Sequence, residues 1–192
     1  MKTVADCLAQ RRDLFNGLNC DRQVDEAVQA IVRSFKAGGR VLLFGNGGSA
    51  AQAQHLAAEF SGRFLLERPA WAGIALTTDT SALTAIANDY GFDRVFARQV
   101  EALGQEGDFL LAISTSGNSR NIIEAIGAAH TKGLVVIALT GRDGGAMGKM
   151  LHARDFHLNV AHTRTMRVQE IHLLAIHCLC EVVDNVIFGE KK

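Results

Sequence analysis

His55 and Glu59 stand four residues apart in the stretch GNGGSAAQAQHLAAEF, residues 45–60. On a helix that spacing puts an imidazole and a carboxylate on one face, one turn apart. Such a pair can move protons or hold a metal, and at a surface it is also an ordinary ion pair. The glycines and serine ahead of it have the composition of a phosphate cradle. A P-loop is excluded, because G-x-x-x-x-G-K-[ST] needs a lysine and none follows here. Gly45, Gly47 and Ala50 formally fit the dinucleotide pattern, with Asp79 as the ribose ligand. Asp79, however, lies 29 residues beyond Ala50, against about 20 in that fingerprint. That reading also leaves a second stretch, STSGNS at 114–119, without a role.

STSGNS has its own logic. Ser114, Thr115, Ser116 and Ser119 can present hydroxyls around one point, and Gly117 lets the backbone come close. A helix beginning at Ser119 aims free N–H groups and its positive dipole end at the same place. A monoester phosphate held this way needs no lysine. By itself Ser119 is equally an N-cap. The third constellation is Gln169, His172 and His177 in the C-terminal stretch. At 100° per residue Gln169 and His177 are about 80° apart, two turns along one broad face, and His172 lies about 60° to the other side. Polar groups in a run reading IHLLAIHCLCEVV are either hydrogen-bonded core residues or ligands. Two histidines, a glutamate and an amide can form a zinc site, with glutamine the uncommon member.

The elements that must position these groups follow from periodicity. Helices are expected at 3–16, 22–37, 49–62, 80–88, 93–103, 119–131, 145–150 and 165–187. Short unbroken apolar runs, RVLLFG (40–45), GIALT (73–77), DFLLAIS (108–114) and LVVIALT (134–140), read as strands buried on both faces, with DFHLNV (155–160) a weaker fifth. Alternation of this kind predicts an α/β fold: a five-stranded parallel sheet between two helical layers. Ligands of such sheets bind beyond the carboxyl ends of the strands. The loops there are GNGGS, TTDTS, STSGNS and TGRDGG, all small, hydroxylic or glycine-rich.

Composition narrows the class. The 192 residues carry 20 basic and 20 acidic side chains, so bulk charge offers no grip on nucleic acid. The N-terminus has no signal-peptide h-region, and no apolar run is read as approaching a membrane span. Cys7, Cys20, Cys178 and Cys180 form no C-x-x-C pair and are expected to be buried reduced thiols. The expectation is a cytoplasmic protein without membrane or direct nucleic-acid partner.

FGNGGSAAQAQHLAAEFSGRF, SALTAIANDYGFDRVFARQVEALGQEGD, LLAISTSGNSRNIIEAI, ALTGRDGG and RVQEIHLLAIHCLCEVVDN resemble the SIS class of phosphosugar isomerases, and within it the sedoheptulose-7-phosphate isomerases. The likeness runs from about residue 20 to 188. It implies a single SIS domain over 1–192, with N-terminal helices in 1–38 and a flavodoxin-like α/β/α core plus long C-terminal helix in 39–192. The implied reaction turns D-sedoheptulose 7-phosphate into D-glycero-D-manno-heptose 7-phosphate through an enediol, for a bacterial surface polysaccharide such as lipopolysaccharide. By the same resemblance Glu59 and His177 are the acid–base residues. Asn46, Gly47, Gly48, Glu59, Asn88, Asp89, Ser114, Thr115, Ser116, Ser119 and Gln169 touch substrate. His55, Glu59, Gln169 and His177 hold one Zn2+ per subunit of a homotetramer. Arg63 either assists the site or pairs with a carboxylate. Many relatives have aspartate where Gln52 stands, and some have it where Met166 stands. SIS proteins that bind the bacterial replication initiator, or that only sense a phosphosugar, share several of these segments. The joint presence of Glu59 and His177 favours the enzyme, since a pure binder needs neither.

Overall fold

The structure is a computed structural model that describes residues 8–9, 11–12, 14–15 and 21–188. Residues 8–9, 11–12 and 14–15 are helical, and the rest of the helix expected at 3–16 lies outside the described residues. Every other expected element is present: α1 (Asp21–Lys36), β1 (Val41–Gly45), α2 (Gly48–Ser61), β2 (Gly73–Ala75), α3 (Thr80–Tyr90), α4 (Ala97–Leu103), β3 (Phe109–Ser114), α5 (Arg120–Thr131), β4 (Val135–Gly141), α6 (Gly145–Met150), β5 (Phe156–Val160) and α7 (Thr165–Phe188). All strand pairings are parallel, in the order β2-β1-β3-β4-β5.

The apolar runs form strands because both sheet faces are covered. Successive side chains point to opposite faces, and the core divides accordingly. Val41, Leu43, Leu111 and Ile113 pack with Val28 and Ile31 of α1, Leu56 and Phe60 of α2, and Ile171 and Val183 of α7. Leu42, Phe44, Leu110 and Ala112 pack with Val100 of α4, Ile122 and Ile126 of α5, and Met147 of α6. The result is the three-layer flavodoxin-like arrangement.

Three sequence expectations need correction. The helix expected at 93–103 is a 3-10 turn, Phe92–Arg94, and then, after a turn at Val95–Phe96, the short helix α4. The α7 helix is in fact long and apolar enough to cross a bilayer by length and composition. A core helix passes the same test, and Val168, Ile171, Ala175, Ile176, Leu179 and Val183 of α7 are buried in the fold. Lastly, Cys180 is buried but Cys178 is exposed. Burial pushes the Cys180 thiol up to about 12, so it is an inert thiol.

Candidate active site

In a sheet of this order the chain leaves β1 toward one edge and returns at β3 on the other side. Ligands of doubly wound sheets bind at that switch point. The two loops singled out from the sequence are the ones brought together there, since β1 and β3 are neighbours in register from Val41–Phe109 to Gly45–Ile113. Between them lies a cavity of about 230 Å3. Asn46, Gly48 and Ser49 line it from the first loop and α2. Ser114, Thr115, Ser116 and Ser119 line it from the second loop, and Thr165 and Gln169 from the first turn of α7. Three helices, α2, α5 and α7, therefore begin at this cavity, each presenting its positive dipole end. Among the described residues, no lysine or arginine lines it. The chemistry suits a small anion held by hydroxyls and helix termini.

The hydroxyls converge. Ser114 Oγ lies 3.2 Å from Ser119 Oγ and 3.4 Å from Ser116 Oγ. Ser119 occupies the N-cap position of α5, yet its hydroxyl makes no capping hydrogen bond. It faces the cavity cluster instead, so its side chain does not serve the capping role. Gly117 is required in STSGNS: its φ is 67°, and a Cβ there would overlap the Gly144 carbonyl. The loop is further held by Met147 N–H on the Gly117 carbonyl and Ala146 N–H on Asn118 Oδ1, both 2.9 Å. Asn46 and Asn121 exchange two amide hydrogen bonds of 2.9 Å, locking the first loop to α5. Gly47, at φ 56°, precedes α2 and is exposed.

Farther along α2 and α7 stand the residues expected to act as acid and base. His55 Nε2 is 2.9 Å from His177 Nε2 and 3.4 Å from Glu59 Oε1. Glu59 is the more enclosed of the α2 pair, its side chain 19% exposed against 43% for His55. Phe64 stacks on the His177 ring at 5.9 Å between centroids. Arg63 pairs with Glu67 at 3.6 Å, both exposed. Donors around a tetrahedral zinc at about 2.0–2.1 Å stand roughly 3.3 Å apart. His55 stands at about that spacing from Glu59 and from His177, and the residue types are ones that zinc takes, but the three do not bring all their ligand atoms within 4.8 Å of one another. Gln169 lies in the hydroxyl cavity, its amide against Gly48.

His172 belongs to the core. It is fully buried, and Nε2 donates to the Thr140 carbonyl at 2.8 Å. Burial pulls its pKa down to about 4, so the ring is neutral at ordinary pH. Asn88 and Asp89 sit exposed at the end of α3, where Asn88 Nδ2 donates to Asp89 Oδ1 at 2.8 Å, and neither lines the cavity of its own chain.

Among the described residues, one group of three brings metal-type ligand atoms within 4.8 Å of one another: His130, His152 and Asp155. It lies at the opposite edge of the sheet, between the end of α5 and the start of β5. Its members are committed to one another. His130 Nε2 is 2.7 Å from Asp155 Oδ2, the two rings stack at 3.8 Å, and the Asp155 oxygens accept the His152 and Val136 N–H groups.

Sequence reasoning missed two kinds of residue. Ser49 and Thr165 line the cavity. Their signal was their place in the first turn of a helix after a strand. Arg68 was missed as well. It is buried against Asp184 of α7 at 2.8 Å, and it donates to the Glu59 and Phe60 carbonyls at the end of α2. Nothing local marks an arginine for such a role.

The SIS domain model matches residues 14–141. The phosphoheptose isomerase of Methylibium petroleiphilum is 57% identical over 170 residues, 88% of this chain and 85% of that protein. The structure of phosphoheptose isomerase GmhA from Neisseria gonorrhoeae superposes with a TM-score of 0.88 at 49% identity, covering 95% of this chain and 97% of that one. A phosphoheptose isomerase structure from Francisella tularensis gives 0.88 at 40% identity, covering 96% and 100%.

Proposed function

Because the chain belongs to the phosphoheptose isomerases of the SIS-domain family, we propose a reaction course for it from the two halves of its site. The enzyme is an aldose–ketose isomerase that interconverts D-sedoheptulose 7-phosphate and D-glycero-D-manno-heptose 7-phosphate. The hydroxyl cavity takes the phosphate: Ser114, Thr115, Ser116 and Ser119 supply hydroxyls, Asn46, Gly48 and Gln169 complete the wall, Gly47 beside them contributes backbone, and the helix termini supply positive potential. Gly48 to His55 is seven residues on α2, about 10 Å of helix. Seven bonds from C2 to phosphorus span about 8 Å at the reach of an extended chain. A phosphate in the cavity therefore leaves C1 and C2 beside the acid–base set. That match of lengths is the observation that carries the reading.

Glu59 takes the proton from C1 and returns it at C2, its carboxylate serving both carbons of the enediol. His177 exchanges protons with the O1 and O2 oxygens. Burying the phosphate, remote from the reacting carbons, supplies binding energy that orients them. His55, Glu59, Gln169 and His177 would hold Zn2+, which when bound stabilises developing oxyanion charge. Binding to a cation makes a carboxylate a poorer base, so Glu59 works best when its contact with the ion is loose. Asn88 and Asp89, exposed and outside their own cavity, reach substrate across a subunit contact of a homotetramer. The whole chain acts as one SIS domain in the cytoplasm, at the head of heptose precursor synthesis for surface polysaccharide such as lipopolysaccharide.

The test is NMR of the purified protein with sedoheptulose 7-phosphate in deuterium oxide, with and without zinc after chelation. The expected result is aldose signals with deuterium at C2, and a higher rate in the zinc arm. Glu59→Gln should fold normally and lose about 100-fold or more in turnover, as removal of a general base does. Undiminished turnover in that variant would remove Glu59 from the mechanism. No conversion by the unaltered protein would transfer the weight to a phosphosugar sensor.

A further inference from the structure

Gln52 lies on α2 one turn before His55, and its side chain crosses to the other helix of the site. Its Nε2 donates to the backbone carbonyl of Gln169 on α7 at 2.7 Å. The side chain of Gln169 meets α2 too: its amide fills the space where Gly48 has no Cβ, which would come within 2.6 Å of Nε2. So α2 grips α7 at one residue twice, by its main chain and by its side chain. From Gln52 one turn of α2 leads to His55. From Gln169 two turns of α7 lead to His177. The imidazoles then meet at 2.9 Å.

The orientation of the Gln52 amide is fixed by this bond, since turning it over would set two acceptor oxygens against each other. The consequence is that Gln52 Oε1 is buried with no hydrogen-bond partner. A buried acceptor without a donor costs stability, and an apolar side chain of the same length would avoid the cost. Stability alone does not account for a glutamine here.

We propose that Gln52 is a positioning residue for the acid–base set, holding α7 in register on α2 so that His177 faces His55 and Glu59 while Gln169 faces the phosphate cavity. It touches no substrate and acts through Gln169. The inference rests on the assignment of Glu59 and His177 given above. In this chain the contact depends on the amide N–H of Gln52, so relatives with aspartate at this position cannot make it in the same way.

Two variants test it. Gln52→Met removes the hydrogen bond and keeps the length. Gln52→Glu replaces the donor by an acceptor that regains an O–H on protonation. Both should lower kcat by between about tenfold and about 100-fold, the scale of a displacement near 1 Å, with the thermal midpoint of Gln52→Met equal to or above that of the parent. KM should change less than kcat in both, because neither variant touches substrate. Imidazole 15N resonances of His55 and His177 should shift in both variants. Parental kcat in both, or unmoved resonances, overturns the proposal. Should the unaltered protein not isomerise, the assignment of function fails separately, and the imidazole resonances decide for Gln52: unmoved resonances overturn it.

Discussion

At the scale of the residue, the two histidines on α7 sit in opposite environments. His177 is half-buried and meets another imidazole, whereas His172 is sealed in the core with one hydrogen bond and no partner for Nδ1. The unfolded chain protonates His172 near its ordinary value of 6.5, and the folded chain resists until about 4. In that window the unfolded state binds more protons, so stability is present above pH 6.5 and is lost as pH falls toward 4. Linkage makes the loss about 3 kcal/mol. Urea midpoints measured between pH 7 and pH 4 should fall accordingly. His172→Gln, which keeps a donor for the Thr140 carbonyl, should flatten the dependence.

At the scale of the element, α2 and α7 form one functional unit clasped at both ends. Gln52 and Gln169 close the end near the phosphate cavity. Arg68 and Asp184 close the other, with side chains 1% and 2% exposed. Asp184 Oδ2 also accepts the Leu65 and Leu66 N–H groups, and the Arg68 guanidinium lies 4.0 Å over the Trp71 ring. Every charge and polar edge of this pair is engaged, which is what lets it stay buried. Removing one partner strands the other. Arg68→Met and Asp184→Leu should each cost about 3–5 kcal/mol in urea unfolding, and the double variant should recover most of it. Additive losses would show that the two residues act independently.

The whole molecule shows apolar side chains that its own fold leaves uncovered. Tyr90 and Phe92, 54% and 60% exposed, flank the turn that follows Asn88 and Asp89. If Asn88 and Asp89 act across a subunit contact as proposed, the assembly that brings them to another chain also buries Tyr90 and Phe92 beside them. Light scattering should give four times the 20.7 kDa of one chain. Replacing Tyr90 and Phe92 together by glutamate should yield smaller species with reduced turnover. Full turnover by such species would place Asn88 and Asp89 outside the site.

Periodicity was enough for most of the architecture. Val41 to Phe44 and Phe109 to Ile113 are unbroken apolar runs because both faces of a parallel sheet are buried, and that demand is written locally. The hydroxyl loop, the glycine loop and the i,i+4 pair of His55 and Glu59 were legible for the same reason: each is a short segment whose residue types carry its chemistry. The break around Gly91 was legible, but the further break between Arg94 and Ala97, inside the helix expected at 93–103, was not, because a short turn in an otherwise helical pattern has no periodic signature. Pairing was the work of tertiary structure. Parallel connection at the β1/β3 switch point joined two loops some 70 residues apart into one cavity, and helix packing brought His177 to His55 across 122 positions. The same packing sent His172 into the core and Ser119 away from its capping role. Sequence determined which groups were available; only the folded chain, through contacts between distant segments, decided which of them meet.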